Sequence, residues 1–269
     1  MKRKLTIAVL CAAMTFLPAS ALHAGGNDST IDNGSAAADG PQMVVTDRTQ
    51  EQNEEPTSRS EWLPEFSAVY VSAAIDIRFI QVAESEAPRI VYDTKGVADT
   101  KFKAFVNKQG ELNITERILR DTRSQTTVEV YFHHLSSIEV SDACAEFEGT
   151  LKQTMLKVDV AGGAKFTADM DVTDLEVVLS GKATRAKLTG QARYVEIEAS
   201  SGRLDASALE AMSVEVTASY GAGVAVRAGE RLKSSATTSA TISYRGAPTV
   251  IKGRSSVLGG TVKNISDED

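Results

Sequence analysis

Between Ser136 and Val250 apolar and polar residues alternate in short bursts, and the burst returns about every 18 to 20 residues. Its starts read SIEV from Ser137, LKVDV from Leu156, LEVVL from Leu175, VEIEA from Val195, VEVTA from Val214 and LKSSA from Leu232. Most copies then run into small residues: AGGA at Ala161, SGKA at Ser180, SSGR at Ser200 and YGAG at Tyr220. A second alternation follows each corner, with Ala145 and Phe147, Phe166 and Ala168, Ala186 and Leu188, Leu204 and Ala206, Val224 and Val226, and Ile242 and Tyr244 at its apolar positions. Period-two alternation predicts strands buried on one face. Two strands of four to five residues with small turns make a coil that cannot bury its apolar face alone, so copies must stack. The pattern therefore predicts an all-β fold, a parallel β-helix (β-solenoid) with coils of about 18–20 residues.

Stacking places equivalent positions about 4.8 Å apart. Val158, Val177, Ile197 and Val216 then form one interior ladder, and Val160, Leu179, Ala199 and Ala218 another. Glycines and serines suit corners that need positive φ or close backbone approach. The interior thins where Ser234, Ala236, Thr238 and Ala240 occupy the pattern, and Ala247–Ile265 is expected to cap that end. Upstream, Phe66, Ala68 and Tyr70, then Ile75, Ile77 and Phe79, and further runs at Ile90–Tyr92, Phe102–Val106, Leu112–Thr115 and Val128–Phe132 predict N-terminal strands packed as irregular first coils. Arg117–Gln125 reads as a surface loop, and Trp62, the one tryptophan, as a packing cap.

Composition changes at both ends. Gly25–Ser60 has almost no apolar residues and no period, and reads as a disordered linker before a folded part spanning 61–265. Ser266–Asp269 is an acidic tail. Met1–Ala24 has the form of a secretory signal: Lys2, Arg3 and Lys4, an apolar run Leu5–Leu17, and small residues for cleavage after Ala21 or Ala24. That run is shorter than the roughly 20 residues of a spanning helix, so the expectation is an exported protein, in the periplasm or at the cell surface, without a transmembrane segment.

Without the signal, 26 basic residues stand against 36 acidic ones, a formal charge of −10. That sign opposes phosphate backbones, and nucleic acid is not an expected partner. Cys144 is then the sole cysteine, expected as a small buried hydrophobe.

The chain resembles the auto-transporter adhesin head, or GIN, domain family, secreted β-helical domains common in Bacteroidetes. The resemblance covers about Phe66 to Ile265. It rests on FSAVYVSAAIDIRFIQ, GELNI followed by VEVYFHHLSSIEVS, the small-residue corners, and TISYRGAPTVIKGRSSVLGG. It implies a β-helix and a binding or adhesive role, and it brings no catalytic residues and no cofactor.

The residues offer little chemistry. His133 and His134 are adjacent, so in a strand they point to opposite faces and cannot jointly grip a metal. Asp169, Asp171 and Asp174 cluster at an expected corner rather than across a cleft, which disfavours a polysaccharide-acting enzyme. The most unusual surface feature is acidic. In register, Lys157, Glu176, Glu196, Glu215 and Lys233 share one outward row, with Glu139, Asp159 and Glu198 in the next. These rows can be a cation site, a face for a basic partner, or a solvated surface. The reading is a non-enzymatic adhesion or binding domain for a protein or glycan ligand, with a structural envelope role as its rival.

Overall fold

The computed structural model describes residues 58–95, 100–118 and 126–266. The signal segment, most of the linker, residues 119–125 of the expected loop and the last three acids lie outside the described residues. All described residues belong to one unit, Pro56–Asp269. They contain no helix, and the strands wind into a β-solenoid of about six turns.

The regular part consists of five long strands: β9 (Cys144–Ala161), β10 (Lys165–Ser180), β11 (Arg185–Ser200), β12 (Arg203–Ser219) and β13 (Gly223–Thr237). Each pairs in parallel with the next. The sequence predicts two short strands per coil, whereas the structure has one long strand that bends. In β10 the buried positions are Phe166, Ala168, Met170 and Val172, then Leu175, Val177 and Leu179. The alternation slips phase at Thr173–Asp174, so the chain turns without leaving the ladder. The same slip falls at Arg193–Tyr194 in β11 and Met212–Ser213 in β12. The tight corners separate the long strands, and within the ladders the register also shifts, between Thr167 and Asp169, Lys187 and Thr189, and Ala206 and Glu210.

Those corners use left-handed backbone, at Gly162, Gly181, Gly202 and Gly221. Thr184 staples one of them. Fully buried, it donates through Oγ1 to the Ser180 carbonyl and accepts from the Gly163 amide at 3.1 Å. Gly190 is required elsewhere, within a strand: φ is 101°, and an added Cβ would lie 2.1 Å from the Met170 carbonyl oxygen.

Both predicted interior ladders are present. Val158, Val177, Ile197 and Val216 are paired neighbours, extended by Ile138 at one end and Ser234 at the other. The second runs from Val140 through Val160, Leu179, Ala199 and Ala218 to Ala236. The core is aromatic at the N-terminal end, where Phe79 stacks on Phe147 at 4.9 Å and Phe147 meets Phe166 edge-on. It thins to Ser234 and Ala236, as expected, but Thr238 is in a corner with φ of 50° rather than in the interior.

The first strands are β1 (Ser58–Trp62), β2 (Ala68–Ser72), β3 (Asp76–Gln81), β4 (Arg89–Asp93), β5 (Thr100–Val106), β6 (Glu111–Ile118), β7 (Thr127–Phe132) and β8 (Ser137–Ser141). They do not stack in chain order. Strands β2 and β3 lie inside, between β6 and β7 on one side and β8 and β9 on the other. Three antiparallel pairings, β5 with β6 and β4 with both β1 and β7, complete that end.

Five local expectations are corrected here. In β2 the buried residues are Val69 and Val71, and Ala68 and Tyr70 face outward, because Ser67 separates the inward Phe66 from the strand's own alternation. Trp62 caps nothing: it lies on edge strand β1 and is 70% exposed. Arg117 belongs to β6, and Ser58–Ser60, read as linker, begin β1. Finally, Ala247–Ile265 continues the coils: β15 (Val250–Val257) completes the coil that β14 (Thr241–Arg245) begins on β13, and β16 (Thr261–Asn264) starts another by pairing with β14.

Candidate functional site

The acidic rows lie on the outward side of the segment that carries the two ladders. Glu176, Glu196 and Glu215 are consecutive register partners, with Lys157 and Lys233 at the ends. Lys157 pairs with Glu176 and Lys233 with Glu215, so the row neutralises its own ends. Glu196, exposed between them, makes no ion pair among the described residues. In the neighbouring row Glu139 and Asp159 are register partners, but Val178 separates Asp159 from Glu198. Partial burial raises the affinity of Glu139 for a proton, and Asp159 and Glu111 add to it. Burial does the same to Asp159, opposed by Lys157 and reinforced by Glu176. The arrangement is a flat acidic strip. Among the described residues no three His, Cys, Asp or Glu side chains converge where a metal ion could sit.

A second feature lies on the strand segments that follow the tight corners. There Lys165, Arg185 and Arg203 occupy equivalent positions on three successive coils, and the same row continues as Gly223 and Thr241. The next outward row reads Thr167, Lys187, Asp205, Ala225 and Ser243. Long side chains give way to Gly223 and Ala225, and the step makes a shallow groove of about 550 Å³ over these residues. Arg185 is held by Nη1 donating to the Lys182 and Thr184 carbonyls. No ion pair among the described residues engages Lys165, Arg185, Lys187 or Arg203. The one carboxylate in the lining, Asp205, is kept readily ionised by the Ser207 hydroxyl. This row is not among the candidates drawn from the acidic rows, although the sequence carries its signal: a basic residue follows the corner in AGGAK, GKATR and SSGR.

The remaining candidates form no metal or acid-base cluster among the described residues. His133 and His134, expected in a strand on opposite faces, instead follow the end of β7 at Phe132, and both line one shallow surface pocket with Glu65 and Glu84, their side chains 10% and 67% exposed. His133 sits between the Glu86 carbonyl and the Glu65 carboxylate, which favour its protonated form. Asp169 accepts hydrogen bonds from Thr150 and Thr189 on the two adjacent coils, which hold it ionised. Asp171 and Asp174 lie farther along β10, away from the groove lining. Cys144, expected to be buried, faces outward and is half-buried, because Ala143 and Ala145 take the inward positions.

Known structures share this architecture. A crystal structure described as a putative adhesin from Bacteroides fragilis superposes with a TM-score of 0.64 at 19% identity, over 77% of this chain and 96% of that one. One described as a putative lipid binding protein from Parabacteroides distasonis gives 0.56 at 14% identity, over 79% and 97%. A third, a putative adhesin from Parabacteroides merdae, gives 0.55 at 17%, over 77% and 95%. At such identities the likeness shows the fold alone. No curated protein is significantly similar in sequence. A family profile, in contrast, matches residues 65–248, which include every regular coil and both surface features, and the chain belongs to the family described as putative auto-transporter adhesin, head GIN domain.

Proposed function

We propose that the protein is an exported, non-enzymatic binding domain of the bacterial envelope that engages a surface ligand, protein or glycan, through a broad face of its solenoid. The observation that carries this reading is the outward surface itself. Equivalent side chains repeat in register over successive coils, and no ion pair among the described residues engages the cations above the groove. Repeated coils of this kind suit extended contact with a partner rather than enclosure of a small substrate. A glycosidase-like site would call for two facing carboxyl groups, and the groove lining offers only Asp205. The family name and the names of structural neighbours point the same way, towards adhesion and lipid binding. Export rests on the basic, apolar and small-residue order of Met1–Ala24.

Protease treatment of intact host cells tests the reading. A surface adhesin is stripped from the cells, while an internal control in the periplasm survives. Full protection of the protein would instead favour a structural role inside the envelope.

A further inference from the structure

We infer that the groove over Arg185, Lys187, Arg203, Gly223 and Ala225 is a subsite for an acidic polysaccharide, one that carries carboxylate or sulfate groups along its length. The inference rests on the binding role proposed above and names the ligand class and the face used.

Charge is the first argument. Four cations, Lys165, Arg185, Lys187 and Arg203, stand against Asp205 alone in the lining. Unpaired cations held close together repel, and an anion laid across them relieves that repulsion. Lys165 is partly balanced by nearby Asp76 and Lys187 by its register partner Asp205, so Arg185 and Arg203 carry the subsite, with Lys187 beside them. The charge also runs against the chain's overall sign, 29 basic residues to 36 acidic. It is thus a local feature of one face.

Geometry is the second argument. Lys165, Arg185 and Arg203 arise from register positions on successive coils, whose backbones lie about 4.8 Å apart as paired strands dictate, so a linear polymer with repeating anionic groups meets a repeating set of donors. Arg185 is already fixed by its two bonds to carbonyls, which reduces the ordering cost on binding. Its remaining guanidinium N–H groups, with those of Arg203, suit carboxylate or sulfate oxygens.

The floor separates a saccharide from other anions. Gly223 and Ala225 leave room at the sheet surface, and the Thr241 and Ser243 hydroxyls beside them make no hydrogen bonds among the described residues. The groove lies on a sheet face, where strand backbone is already consumed by the ladders on both sides. An extended peptide adds to a sheet through free backbone groups, and none are offered here. The lining also lacks an exposed apolar side chain to enter a membrane. Sugar hydroxyls and acid groups match what remains.

The test is binding of the purified protein to polygalacturonate and chondroitin sulfate, with dextran as the neutral control and phosphatidylglycerol vesicles as the lipid control. The expected result is binding of the acidic polysaccharides only, weakened by added salt. The pair Lys187→Glu and Arg203→Glu should reduce it by about tenfold or more, while Glu196→Lys on the acidic strip should not reduce it. If the charge-reversed pair fails to fold, Lys187→Gln with Arg203→Gln serves instead, and each variant is accepted only with the parent's melting temperature. Acidic polysaccharides that bind no better than dextran overturn the proposal. So does binding that survives the paired substitution, or binding of the vesicles alone. A protein stripped from cells by protease that captures only neutral glycans would keep the binding role and remove this assignment.

Discussion

Ser234 extends an interior ladder that includes Leu112, Val69, Ile138, Val158, Val177, Ile197 and Val216. It is fully buried and its hydroxyl has no hydrogen-bond partner among the described residues. A desolvated, unpaired hydroxyl costs about 1–3 kcal/mol. Ser234→Ala removes that cost with little change in volume, and we expect an increase in unfolding free energy of about 1 kcal/mol in chemical denaturation. Loss of stability would mean that the hydroxyl has a partner such as buried water. Thr184 is the contrast: equally buried, it bridges two coils through the Ser180 carbonyl and Gly163 amide. Burial of a hydroxyl therefore carries opposite consequences at the two sites. Both were hidden in the sequence, where Ser234 reads as core thinning and Thr184 as one more small corner residue.

At the scale of the element, the register of β9 to β13 was legible because one slip would turn every apolar residue outward. The acidic rows followed from that register, and they can be tested through pH. Glu139 and Asp159 face each other on adjacent strands, and burial raises the proton affinity of both in the folded state. A carboxyl whose folded pKa is raised is destabilising while ionised. The penalty is present above its folded pKa and is relieved as pH falls below the ordinary carboxylate range. Asp159→Asn should thus stabilise the protein at neutral pH by about 0.2–1 kcal/mol, with the gain vanishing in acid. Thermal melts of parent and variant across pH would check it; a gain that persists in acid would assign the effect to packing. What the sequence concealed lies where elements depart from strict repetition. The slip in alternation at Thr173–Asp174 and Arg193–Tyr194 marks two apolar runs, but it does not reveal that pairing resumes at once beyond it, which makes the two runs one bent strand. The inverted order of β2 and β6 depends on long-range pairing, and the basic row was overlooked because its residues sit beside the corners rather than within the strongest alternation.

The two ends of the whole molecule are finished differently. At the N-terminal end the outer strands are antiparallel and carry charges beside exposed aromatics: Arg59 and Glu61 with Trp62 on β1, and Lys103 with Phe105 on β5. Such charges discourage pairing with another chain. The C-terminal strands also carry exposed lysines, Lys252 on β15 and Lys263 on β16, but among the described residues no further strand covers them. Strand β15 pairs only with β13 and β16 only with β14, leaving their far edges open. The predicted cap is itself a coil with an uncovered side, and Ile251, Val257 and Leu258 are 42%, 51% and 77% exposed there. Leu258 is also in left-handed backbone, with φ of 53°, a conformation that an aspartyl or asparaginyl side chain tolerates better than leucine. Leu258→Asn should therefore act twice. It relieves backbone strain, raising stability by up to about 1 kcal/mol, and it removes the most exposed apolar side chain of the open end. The expected outcome is a higher melting temperature together with less light scattering from concentrated protein on heating. A higher melting temperature with unchanged scattering would retain the strain argument and place the association surface away from this edge. Reduced scattering without stabilisation would isolate the exposed apolar contact as the cause, because backbone strain and surface exposure enter the two measurements separately.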